Sequence, residues 1–114
     1  MVSKTRKRET VSAGTGDVFV DLGFADAGER KLRVQLALRV NDLISEHHLT
    51  QAKAAALFGI PQPHVSELKN YKLSRFSSER LMGFITLLDH DVEILIRPKA
   101  RGHTSGLVSV LVAP

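Results

Sequence analysis

Between residues 29 and 47 the apolar positions recur three and four apart. With residues set about 100° apart around a helix axis, Leu32, Leu36, Val40 and Leu43 form one stripe, flanked by Ala37 and Ile44. That is the pattern of a helix laying one face on a core. Asp26, followed three residues later by Glu29, supplies a capping-box start, so the longest helix is expected over 26–47. Val34 and Leu38 fall on the opposite side and need a cover of their own. Either a partner or the segment Asp17–Phe24, a short turn anchored by Phe19 and Phe24, can provide it, and the intrachain cover is favoured.

Farther along, Ser77 or Ser78 can cap a helix whose apolar face is Leu81, Met82, Phe84, Ile85 and Leu88, ending near Asp89. Residues 91–97, DVEILIR, change to alternation rich in β-branched side chains, and Pro98 stops them. A loop holding Gly102, Ser105 and Gly106 leads to a second β-prone run at 107–112. These runs predict a short C-terminal β element, paired as a hairpin within the chain or exchanged across a dimer. Two strands alone are only marginally stable, which favours a covering helix or a second subunit.

The segment LTQAKAAALFGIPQPHVSELKN, starting at Leu49, carries the most specific spacing. Thr50 can cap a first helix. Ala55 sits where a second helix would cross it, and a side chain larger than methyl would push the two apart. Gly59, four residues on, suits a turn that needs positive φ. Ile60, Val65 and Leu68 fill the space beneath the second helix, Leu57 and Phe58 close the first, and Pro63 is tolerated in a first turn whose amides lack intrahelical partners. An ordinary helical hairpin would accept large residues at 55 and would not require Gly at 59. The spacing therefore predicts a helix-turn-helix.

Composition narrows the partners. The 114 residues suit one domain with a modest core, and with five Phe, one Tyr and no Trp that core is expected to be mostly aliphatic. Lys and Arg outnumber Asp and Glu by 16 to 12, a net charge of +4 that favours polyanions. The absence of Cys removes disulfides and thiolate metal sites, and no apolar run reaches the roughly 18 residues of a membrane span. A cytoplasmic protein is the simplest expectation. Residues 1–16, with Lys4, Arg6, Lys7 and Arg8, read as a disordered basic arm, residues 17–98 as the DNA-binding domain and 99–114 as a loop with a second β-prone run. The arm either brushes a phosphate backbone or is a solvated tail. His47 and His48 end the long helix, where a cation complements its dipole. No HExxH, Cys/His ligand spacing, Gly-rich phosphate loop or acid–base set is present, so neither metal, cofactor nor catalysis is expected.

The 50–70 segment resembles the helix-turn-helix of the phage-repressor-like (Cro/C1, or XRE) superfamily. The strings DVFVDLGF at 17–24, FSSERLMGF at 76–84 and DVEILIRP at 91–98 further resemble a subfamily of HigA-type antitoxins, so that the likeness covers nearly all of 17–98. The resemblance implies a mainly α, lambda-repressor-like domain of four to five helices. It also implies a homodimer, a palindromic operator on its own operon, and neutralisation of a RelE/HigB-like ribonuclease toxin.

Carried onto this chain, the resemblance makes Gln51 a phosphate contact at the start of the first motif helix and gives Lys69 and Asn70 the same role at the other end. Lys53, Lys72 and Arg75 flank the motif as further phosphate contacts, or as ordinary solvated cations. Gln62, Pro63, His64, Ser66 and Glu67 project from the second helix toward the major groove. Gln62 can bond adenine bidentately, His64 can donate to guanine, and Glu67 can accept from the cytosine amine. Glu67 can instead pair with Lys69 or Lys53, which spares it the phosphates. Three functions remain open on these residues: an antitoxin that also represses, a phage-type regulator without a toxin, and a protein-interaction module whose motif no longer binds DNA.

Overall fold

The structure, a computed structural model, describes residues 27–114. Asp26, the basic arm and the 17–24 segment lie outside the described residues. Among the described residues four α-helices follow in order: α1 Glu29–Glu46, α2 Gln51–Phe58, α3 Gln62–Lys69 and α4 Ser78–Leu87. The chain divides into a unit spanning Arg33–Ile94 and a second that includes Leu95–Pro114. None of the four helices is long and apolar enough to cross a membrane.

The expected face of α1 is the buried one. Leu36, Ala37, Val40, Leu43 and Ile44 are buried, Leu32 is half-buried, and Val34 and Leu38 remain 42% and 48% exposed. The helix stops at Glu46 because the chain turns left-handed at His48, φ 54°. The amides of His48 and Leu49 then donate back to the carbonyls of Ser45 and Ile44, each over 3.0 Å, which closes the helix as a Schellman motif. His47 Nδ1 lies 2.9 Å from the Leu43 carbonyl oxygen and donates to it, so this ring caps the helix end by a hydrogen bond.

Ser77 is the cap of α4, its Oγ accepting from the Arg80 amide over 3.0 Å. Leu81, Phe84, Ile85 and Leu88 are buried as the spacing requires, and Met82 is half-buried. The core is mostly aliphatic, as its composition suggests, but an aromatic cluster lies within it. Phe76 is the largest fully buried side chain among the described residues, and Phe84 joins it edge-on at 6.0 Å while stacking on Phe58 of α2 at 4.2 Å. Three of the five phenylalanines thus converge from α2, α4 and the segment before α4. The Arg80 guanidinium covers the cluster at 5.4 Å from Phe76 and 5.6 Å from Phe84, a cation–π arrangement.

The C-terminal β element is a correction. Among the described residues, neither 91–97 nor 107–112 forms a strand. β-Propensity expresses pairing and burial of one face, and both are missing: Ile94, Leu95, Ile96, Leu107 and Leu111 are 68–89% exposed. The loop between the runs does turn, at Gly102 with φ 90°, and Lys99 Nζ donates to the His103 carbonyl oxygen over 2.8 Å.

Candidate nucleic-acid interface

Thr50 has extended backbone and its Oγ1 accepts from the Lys53 amide over 3.1 Å, which starts α2 at Gln51. Ala54 and Ala55 are both buried, Ala54 completely. Two adjacent methyl positions, not one, therefore let α2 pack against its neighbours α3 and α4. Phe58 closes α2 from inside, whereas Leu57, expected beside it, is 41% exposed because at about 100° per residue it falls to the side of the face set by Ala54, Ala55 and Phe58. Gly59 ends the helix in the left-handed region at φ 70°, and the Ile60 amide donates to the Ala55 carbonyl oxygen over 3.0 Å.

Three residues then suffice to enter α3. Pro61 holds an extended backbone at φ −62°, ψ 146° in the N-cap position, and Pro63 occupies the first turn, where its missing N–H removes no helical bond. Val65 and Leu68 are completely buried beneath α3, and Ile60 is half-buried in the turn before it. With Val65 and Leu68 inward, the spacing of about 100° per residue turns Gln62, Pro63, Ser66, Glu67 and Asn70 outward and puts His64 and Lys69 on the flanks. Gln62, Pro63, Lys69 and Asn70 are exposed, while His64, Ser66 and Glu67 are half-buried. The five residues expected to read bases, with Lys69 and the C-cap Asn70 expected to hold phosphate, are therefore carried by one short helix and its cap. Gln51 is half-buried in the first turn of α2, and Lys53 and Lys72 are exposed beside the motif.

The end of α3 is tied down from several directions. Tyr71 adopts φ 59°, its amide donates to the Leu68 carbonyl oxygen and the Lys72 amide to that of Glu67, a Schellman closure without glycine. Asn70 turns its side-chain amide back onto the Ser66 carbonyl oxygen at 2.8 Å, so one of its two amide hydrogens is engaged within the helix. From α1, Asn41 Nδ2 donates to the Leu68 carbonyl oxygen over 3.2 Å and Arg33 Nη1 to that of Leu73 over 3.0 Å.

Sequence spacing missed one relationship on this face. Glu67 pairs with Arg75, not with Lys69 or Lys53: Arg75 Nε donates to Oε1 over 2.6 Å and Nη2 to Oε2 over 3.3 Å. The partners are eight residues apart, beyond one helix's neighbour rule, and only the path of the loop after α3 brings them together. Arg80 Nη1 supports that path by donating to the Arg75 carbonyl oxygen over 3.3 Å. The Arg75 hydrogen bond is the main reason the Glu67 carboxyl titrates below its ordinary value, with the charges of Arg75, His64 and Lys72 adding to it against partial desolvation. The same bond raises Arg75.

A family model described as a helix-turn-helix domain matches residues 18–97. A solved structure provisionally named an XRE family transcriptional regulator is 50% identical in sequence, with a TM-score of 0.73, and the match covers 77% of this chain and 99% of that one. Among curated proteins no match is found. The chain therefore belongs to the XRE family of helix-turn-helix transcriptional regulators.

Proposed function

We propose that the protein is a dimeric, sequence-specific repressor that serves as the antitoxin of a type II toxin–antitoxin pair, acting on its own operon and neutralising a RelE/HigB-like ribonuclease. The observation that carries the DNA half is the outward face of α3. Gln62, Ser66 and Glu67 offer both donors and acceptors there, and a major groove about 12 Å wide admits such a helix. Two copies related by a two-fold axis would set their α3 helices about 34 Å apart, which a palindrome matches. Gln51, Lys53, Lys69, Asn70 and Lys72 would contact phosphates and fix the register without carrying sequence information.

The toxin half rests on the resemblance of 17–24, 76–84 and 91–98 to antitoxins and on apolar surface that a partner would bury. Val34 and Leu38 on α1 and the run Ile94–Ile96 are exposed and apolar. A phage-type regulator without a toxin is the second reading, favoured by the regulator name of the 50% identical structure. The product of the reading frame adjacent to this gene separates them. Co-expressed, a small basic ribonuclease that co-purifies with this chain and loses its activity supports the antitoxin. An adjacent frame with no such product, or a product that neither binds nor is inhibited, leaves the regulator alone.

A further inference from the structure

We infer that Glu67 and Arg75 act as one guanine-reading unit, in which Glu67 orients Arg75 and Arg75 makes the base contact. The inference rests on the DNA-binding reading of α3 and deepens it by assigning a base. Arginine has five N–H donors in a rigid planar fork and no acceptor. Glu67 engages the side edge of that fork, Nε at 2.6 Å and Nη2 at 3.3 Å. The end edge, formed by Nη1 and the second hydrogen of Nη2, is the other bidentate edge of the group. Two parallel donors of this kind match the O6 and N7 acceptors that only guanine presents together in the major groove.

The placement supports this use. Glu67 lies on the outward face of α3, so a guanidinium held against it is held on the groove side of the helix. Both side chains remain open, at 34% for Glu67 and 45% for Arg75, so a base edge can reach the pair without unpacking the core. The loop carrying Arg75 is fixed at its own carbonyl by Arg80 and at the Leu73 carbonyl by Arg33. A carboxylate alone in a groove lined by phosphates is unfavourable. Paired, it adds no net charge and stops the arginine from swinging to the nearest phosphate. The unit reverses the roles that the residue types suggest separately, a cytosine-reading Glu67 and a phosphate-binding Arg75.

The test is selection of bound sequences from randomised duplex by the full chain and by Glu67→Gln, Glu67→Ala, Arg75→Lys and Arg75→Ala, with folding of each checked by circular dichroism. The wild type should enrich guanine at one position of each half-site. Arg75→Lys keeps the charge but loses the fork, and should cut discrimination for that guanine on the order of 10-fold. Both Glu67 variants should lose the same preference while binding non-specific DNA no more weakly. If Arg75→Lys leaves the preference intact while Arg75→Ala weakens all sequences alike and flattens the salt dependence, Arg75 is a phosphate contact and the unit is refuted. If the Glu67 variants instead lose a cytosine preference, Glu67 reads directly and the unit is again refuted. Absence of any salt-dependent DNA binding by the wild type would overturn the underlying reading of α3 and the unit with it, a result distinct from either of these.

Discussion

Asn41 on α1 donates from Nδ2 to the Leu68 carbonyl oxygen at the end of α3, over 3.2 Å. The first helix thus holds the last turn of α3, linking the core to the position of that helix's outward face. Replacing Asn41 with Ala leaves the partly buried carbonyl with one donor fewer and should destabilise the fold by about 1 kcal/mol. Urea unfolding checks it; an unchanged midpoint would show that the bond contributes nothing net.

Two glycines should respond with opposite signs. Gly59 sits at φ 70° with open space where a Cβ would stand, so Gly59→Ala should cost about 1 kcal/mol through backbone strain alone. Gly83 lies inside α4, also with nothing within 4 Å of a built Cβ. There Ala should stabilise by about 0.5–1 kcal/mol. Thermal unfolding of both variants, measured side by side, reads the two signs directly.

The aromatic cluster is the part of the core most sensitive to truncation. Phe84 stacks on Phe58 and meets Phe76 edge-on, and Phe84→Ala should cost about 3–5 kcal/mol. For a domain of this size that approaches the whole stability, so the variant should be largely unfolded at 37 °C by circular dichroism. Phe84→Leu should retain the fold at reduced stability.

Acid should weaken the Glu67–Arg75 pair in one direction only. The folded-state value of Glu67 is lowered from its ordinary 4.5, chiefly by the Arg75 hydrogen bond. Its contribution is therefore fully present above that ordinary value and is lost as pH falls through the lower folded value. Because the pair is solvent-exposed, the effect is small and screened by salt. The drop in unfolding midpoint between pH 5 and pH 3 should be shallower in Glu67→Gln than in the wild type.

Much of the motif is legible in the sequence because its constraints are local. A Thr at 50, a methyl side chain at 55, Gly at 59 and Val65 with Leu68 each answer one local demand, and each stands where the spacing puts it, whereas the buried methyl of Ala54 emerges only from the packing. Helix ends were harder to place, since His48, Tyr71 and Asp89 all take positive φ without being glycine. The Glu67–Arg75 pair and the convergence of three Phe depend on how the loop at 70–77 runs, which no periodicity encodes. At 91–97 and 107–112, alternation describes what a strand would bury, but a strand also needs a neighbour, and the described residues supply none.

The central claim is that the outward face of α3 reads DNA. Titrating the chain against duplex from upstream of its own gene and against a scrambled duplex, across a series of salt concentrations, tests it most directly. The account predicts tighter binding to the upstream duplex, affinity falling linearly with salt on logarithmic axes, and a reduced preference, with non-specific binding retained, in the double variant Gln62→Ala, His64→Ala. Binding to neither duplex at low salt, or a preference that survives the double variant unchanged, would contradict it.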